Sequence, residues 1–476
     1  MPTDRNQARD GQYPDYVYAN KSLVDVYRNE QDGAKAAKVI LGEWMKIDSH
    51  DGTIPSNEDA RFPVRYRGGR GFVAVQDVTR DRQLEVYFID VDQGDSILIQ
   101  TPDDRRVLID GGQSGDALEF IVNKYRLDKK DNYIDFDAVV ATHSDLDHVG
   151  GLIGVLKHPQ VAVKRVFHNG LFRRTESAVD PGPRSAAKRV SGLVDRPSVM
   201  DQPELTPTMK RLLEAITVAD ANMGAVIGKI EANGGRVDRP PGDKLVCRRL
   251  DRADEYLPPF DRGNRHLQIE VLWPQAEDSD GSPSYRWYGS AGETVNGNSI
   301  VLRVVHGKNR VLLTGDLNEE SMDDLLNVLS ATAEDPKQLA SDVYKAAHHG
   351  SQHFSLEFLK VAAANVAVIS SGDAKYDIHG HPRAVLMGTI TRYSKHSSPG
   401  VFCTELAACY RKLSLLEMRK FRKGTGKKQL YERALKGIVH LRSDGRKLCL
   451  ATVHGRKPPG SMFSQTTWKW DVWEQP

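Results

Sequence analysis

The sequence predicts an α/β layered fold preceded by a small β-rich domain, and three observations carry that expectation. From residue 84 onward strand-like apolar runs alternate with helical patterns. Before that point only strand-like runs occur, separated by Gly, Asp and Asn. Several of the later runs end in His or Asp. At 476 residues, with 39% hydrophobic and 27% charged residues, the chain has room for two domains and an ordinary globular composition. No apolar stretch nears the roughly 20 residues that cross a bilayer, and the first residues lack an apolar signal core, so a cytoplasmic location without membrane contact is expected. Cys247, Cys403, Cys409 and Cys449 have neither zinc-ribbon nor disulfide-scaffold spacing; free thiols in a reducing compartment fit them.

Taken in order, residues 1–12 are polar and form a flexible tail. Residues 13–82 hold β-type runs at 23–27, 38–41, 44–47 and 71–75, which predict a small β-barrel; it resembles bacterial Src-homology-3-like domains, a type that could bind a protein partner. The main unit spans 83–455. It opens with strands at 84–90, 95–99 and 106–112, a helix at 117–125, a strand at 136–141 and a helix at 151–156. Residues 171–262 turn polar and rich in Pro and Arg, which predicts an insertion over the surface with one helix at 206–230. Strand patterns resume at 267–272, 299–305, 310–316, 343–347 and 366–370. The tail at 456–476 carries Trp468, Trp470 and Trp473, half of the six tryptophans, and is expected to dock onto the domain body.

The chemistry concentrates where strands run out. The segment from Ala141 to Gly151 places His143, Asp145, Asp147 and His148 in one loop directly after a buried run. Imidazoles and carboxylates at that spacing can converge on two divalent cations, which together clamp the attacking and leaving oxygens of a phosphoryl displacement. Asp110 ends one strand, Asp316 closes another, His348 and His349 follow a third, and His381 stands in a Gly-His-Pro turn after the strand at 366–370. Active sites of layered α/β folds form at such strand ends.

These pieces resemble, in order, the metallo-β-lactamase superfamily and within it the soluble hydrolase domain of ComEC-type DNA-uptake proteins. The resemblance rests on residues 88–96, 108–112 and 143–151, Asn296-Gly-Asn-Ser299, Leu312-Leu-Thr-Gly-Asp316, His348-His-Gly-Ser351 and Gly380-His-Pro382. It implies an αββα sandwich with two divalent ions, zinc or manganese, at one edge. Carried over by residue, His143 and Asp145 would hold one ion, Asp147 and His148 the other, and Asp316 would bridge them. His381 would complete the second ion, and His349 would face the phosphate as charge stabiliser or general acid. The roles of His349 and His381 are open to exchange. Asp110, Asn298 and His348 would support the shell. Asn296 and Asn298 stand in the region where many superfamily members have another histidine, an oxygen-rich departure that softens the preference for zinc and makes manganese plausible. Either Asp147 or Asp316 would orient the activated water.

The substrate implied is DNA or RNA. The 411–436 segment carries ten lysines and arginines against two glutamates, a net +8, and includes Arg419, Lys420, Arg422, Lys423, Lys427 and Lys428 interleaved with aromatics. Two other readings stay open at this point: a hydrolase of a small phosphodiester or phosphorylated metabolite, and a non-catalytic regulatory or adaptor protein.

Overall fold

Runs of Val, Ile and Leu with every side chain buried, such as Ile97–Gln100 and Ala138–Ala141, read as strands covered on both faces, and they assemble into two packed sheets. The computed structural model describes residues 15–31, 33–49, 52–67, 69–174, 189–197, 204–279, 281–331, 339–372, 380–406, 409–410, 416, 419, 431–432, 435–454 and 469–475.

The first sheet has nine strands in the order Val246–Arg249, Arg165–His168, Ala138–Ala141, Arg106–Ile109, Ile97–Gln100, Leu84–Phe88, Val439–Ser443, Leu448–His454 and Lys469–Glu474. The second has six, ordered Gln268–Trp273, Val301–His306, Asn309–Leu313, Val343–Lys345, Val366–Ile369 and Gly400–Cys403. Their inner faces share one core, in which Val86, Phe88, Ile99 and Val107 meet Val271, Leu302, Val311 and Val368. Helices cover the outer faces. Asp116–Tyr125, Leu152–Leu156 and Pro207–Ala232 pack on the first sheet. Glu319–Ala331, Leu356–Ala362 and Ala384–Tyr393 pack on the second. The result is the αββα sandwich.

Ahead of it lies a seven-stranded antiparallel sheet built from residues 16–79 with its own core of Val17, Val24, Val26, Met45, Phe62, Val64 and Val73. Alternating burial along Arg61–Tyr66 shows why that strand, with Pro63 in its middle, was illegible as a continuous apolar run.

Two expectations are corrected. Much of 171–262 is integral to the sandwich and does not lie over it. The helix Pro207–Ala232, capped by the Thr206 side chain and with Met209, Leu212, Leu213 and Ala215 buried, covers the first sheet. Val246–Arg249 then pairs in parallel with Arg165–His168 as that sheet's edge strand. Nor is the C-terminus merely a docked tail: Lys469–Glu474 extends the other edge, antiparallel to Leu448–His454, and the Trp473 indole donates to the Ser398 carbonyl at 3.1 Å.

Candidate metal centre

Strand ends of both sheets deliver the site. Parallel pairing of Arg106–Ile109 with Ala138–Ala141 puts Asp110 beside the loop that follows Ala141. Asp110 accepts hydrogen bonds from the Thr142 amide at 2.8 Å and its hydroxyl at 2.6 Å, and holds His148 Nδ1 at 2.8 Å. That last contact fixes the ring so that Nε2 faces inward, the usual role of a carboxylate behind a metal-binding histidine. The Gly-rich flanks are needed for close approach. A Cβ on Gly94 would stand 2.1 Å from the Asp147 carbonyl oxygen, and one on Gly151 2.0 Å from that of Gly111.

The second sheet supplies the rest. Asn309–Leu313 and Val343–Lys345 run parallel, so Asp316 and the Ala346–Ser351 turn emerge side by side. His348 and His349 have φ of 48° and 53°, two successive left-handed residues of a kind that costs about 1 kcal/mol or more each and clusters at functional sites. The turn thereby sends His349 Nε2 to 3.3 Å from both Asp147 and Asp316, while its Nδ1 meets the Ser370 carbonyl at 3.1 Å.

Asp316 is the hub. Its Oδ2 lies 3.3 Å from His148 Nε2 and His349 Nε2, and 3.9 Å from His143 Nε2 and His348 Nε2. Ligand atoms of Asp95, His148, Asp316 and His349, all four residues buried, fall within 4.8 Å of one another. Asp316 Oδ1 and His143 Nε2 are buried with no hydrogen-bond partner. Orphaned donor atoms on a carboxylate and an imidazole aimed at one centre are what a cation would satisfy, and the donor set of imidazole nitrogens and carboxylate oxygens suits zinc or manganese.

Electrostatics agree with a centre that calls for positive charge. Burial pushes Asp316 upward, but His349 and His148 outweigh it and hold the carboxyl well below its ordinary range. Burial likewise opposes charge on His148 and His349, yet Asp316 leads the neighbours that drive both well above an ordinary histidine. His143 is lowered, by burial first and then by His148.

Sequence expectations fare differently across the site. His143, Asp147, His148 and Asp316 come together with Asp110 behind them. His349, expected to face the phosphate, sits inside the cluster with 1% of its side chain exposed. His381, expected to complete the second ion, lies with its ring edge-on to His348, ring centres 5.6 Å apart. The left-handed turn carries His349 into the buried cluster and leaves His348 about a third exposed. Asp145 is held by both guanidinium arms of Arg173, at 2.6 and 2.8 Å. Asn298 points away, its amide donating to the Arg286 and Thr294 carbonyls.

Asp95, Lys345 and Arg173 were not foreseen. Lys345 is buried, ion-paired with Asp95, and donates to the Gly315 carbonyl at 3.1 Å. Arg419 is exposed; Lys420, Arg422, Lys423, Lys427 and Lys428 lie outside the described residues.

Two packed sheets with histidines and aspartates gathered at one edge define a metallo-β-lactamase-type fold, and residues 89–217 match the model of the metallo-beta-lactamase superfamily. Over 324 residues the chain is 26% identical to ComE operon protein 3 of Bacillus subtilis strain 168, in an alignment that takes in 65% of this chain and 31% of that relative. The chain thus spans about a third of that relative's length. Among solved structures it is similar to Zn(2+)-bound PqqB from Methylobacterium extorquens, at 9% identity and a TM-score of 0.29, covering 65% of this chain and 85% of that one. A CmlA beta-hydroxylase variant matches at 8% identity and a TM-score of 0.30, covering 69% and 54%. Among the described residues no helix is long and apolar enough to cross a membrane.

Proposed function

We propose that the protein is a metal-dependent phosphodiesterase that cleaves nucleic-acid strands. The observation that carries the reading is the convergence of Asp95, His148, Asp316 and His349 from separate strand ends within 4.8 Å of one another, with Asp147 3.3 Å from His349 and His143 3.9 Å from Asp316 beside them. His148, His349, Asp147 and Asp316 would hold one divalent ion, and His143 and Asp145 another, with Asp316 shared. Bound there, such ions supply Lewis-acid charge and a water acidified towards neutrality.

The chain's own residues do the positioning. Asp110 keeps His148 in the tautomer whose Nε2 faces the centre. The Ser370 carbonyl does the same for His349 by accepting from its Nδ1. His348, about a third exposed at the rim and next to His381, takes over the phosphate-facing role expected of His349. Its imidazole can offset charge that builds on the phosphate oxygens or deliver a proton to the leaving oxygen. A nucleic-acid substrate is supported by the resemblance to the hydrolase domain of DNA-uptake proteins and by the net +8 of residues 411–436.

The test is cleavage of single-stranded DNA, RNA and a cyclic dinucleotide with manganese or zinc, by the native chain and by Asp147→Ala. Strand cleavage that is lost in the variant is the expected result. Neutralising Arg422, Lys423, Lys427 and Lys428 together should weaken strand cleavage and flatten its salt dependence while leaving small diesters unaffected. Cleavage of the cyclic dinucleotide alone would replace this reading with that of a small-diester hydrolase.

A further inference from the structure

We infer that Arg173 guards one of the two cation positions, so that the centre takes up its ions unequally: tightly where Asp147, His148, Asp316 and His349 meet, and weakly at His143 and Asp145. The inference rests on the metal-centre reading above and concerns how that centre is filled.

Both Asp145 carboxylate oxygens are already engaged, Oδ1 by Arg173 Nε at 2.6 Å and Oδ2 by Arg173 Nη2 at 2.8 Å. A planar fork bound to a carboxylate in this way gives two parallel charge-assisted hydrogen bonds, the strongest pairing these groups make. Arg173 is also fixed in place. Its amide donates to the hydroxyl of Ser144, inside the metal loop itself, at 3.1 Å, and its carbonyl accepts from the amide of Thr206, the cap of the long outer helix, at 3.1 Å. The guanidinium therefore belongs to the site as firmly as the loop it restrains.

The neighbouring donors are few. Asn298 is anchored by its amide, which donates to the backbone carbonyls of Arg286 and Thr294, and it offers only a neutral carbonyl oxygen. Asp316 Oδ2 faces His148 and His349 at 3.3 Å and His143 only at 3.9 Å. The His143 position therefore has one imidazole nitrogen, a shared carboxylate and an Asp145 whose Oδ2 stands 4.0 Å from His143 Nε2 with its charge already shared with a guanidinium. The opposite position has two imidazoles and two carboxylates, and its neighbouring cation, Lys345, pairs with Asp95 and stands 4.0 Å from Asp316 Oδ1 without a forked contact to it. Because Arg173 and Asp145 are partly solvated, 34% and 21% exposed in their side chains, the competition is moderate and not absolute.

Calorimetric titration of the metal-free full chain with manganese tests this without reference to catalysis. The native chain should bind one ion tightly and a second about tenfold or more weaker, the handicap expected from a guanidinium charge held on the carboxylate that the second ion needs. Arg173→Ala should strengthen the second ion by about that factor and leave the first unchanged. Arg173→Lys, which keeps the charge but not the fork, should fall between them and serves if the alanine variant fails to fold by circular dichroism. Asp145→Asn should abolish the weak ion and spare the tight one. Two equal ions in the native chain, or a second ion that neither arginine variant strengthens, would overturn the inference. Absence of any manganese binding to a folded native chain would instead overturn the metal centre beneath it.

Discussion

Two buried clusters of charge lie in this molecule, and they are built on opposite plans. Across the outer face of the first sheet, acids and bases alternate. Arg82 pairs with Glu85 and Asp104, Arg106 with Asp104 and Asp135, Lys164 with Asp135 and Asp137, and Lys124 with Glu85. At the strand ends, by contrast, carboxylates face imidazoles around an open centre, with Asp316 Oδ1 and His143 Nε2 left unsatisfied. In the first cluster every acid faces a lysine or arginine, which is what buried charges require when their job is structural. In the second, lone-pair atoms of several carboxylates and imidazoles face one another. Burial of charge alone thus does not mark a functional site; convergence of potential ligand atoms on one point does.

Substitutions can break that contrast in order of expected effect. Asp316→Ala removes the shared ligand and should reduce kcat/KM by about a thousandfold or more, as loss of several kcal/mol of charge stabilisation implies. The variant should fold normally by circular dichroism, since no structural cation depends on that carboxylate alone. In the paired cluster the outcome should invert: Lys164→Met leaves Asp137 without its lysine and Asp135 with Arg106 alone, and should cost about 3–5 kcal/mol in urea denaturation, while manganese affinity of the folded fraction stays unchanged. Asp110→Asn, acting through His148, should weaken metal binding by about 10- to 100-fold in titration calorimetry and stability only slightly.

A smaller effect sharpens the boundary between site and scaffold. His168 is buried and pushed down to about 3, first by desolvation and then by Arg249. Its Nδ1 accepts from the Gly170 amide at 3.0 Å, and its ring packs on Phe172, so it serves the fold and not the centre. Because the unfolded histidine titrates near 6.5, the folded state binds fewer protons below that pH. Stability supported by neutral His168 is therefore complete above about 6.5 and is lost at about 1.4 kcal/mol per unit as pH falls towards 3. Replacing His168 with Gln should remove that share of the slope in denaturation curves recorded between pH 7 and 5 on metal-free protein.

Much of this was legible in the sequence, and the failures have physical causes. Fully apolar strands ending in Asp110, His143 and Asp316 announced both the layers and the edge where the site forms, because local composition alone fixes those features. His349 and His381 could not be told apart, since each follows a strand. What separates them is a pair of left-handed residues, and no periodicity encodes that. Arg173 was missed because its partner lies 28 positions away across a loop. Asp95 was visible within the Gln-Gly-Asp turn, but its meaning depends on Lys345, which comes from the other sheet. The helix Pro207–Ala232 was seen yet read as surface. Its buried side chains are spaced for a helix, and only the sheet beneath them shows that they belong to the sandwich.

The central claim is that a divalent ion sits among His148, His349, Asp147 and Asp316. Anomalous scattering from crystals grown with zinc or manganese measures it directly. A peak should appear within about 2.0–2.2 Å of the Nε2 atoms of His148 and His349 and of an Asp316 oxygen. An intact fold with no anomalous density at that point, under saturating metal, would contradict it.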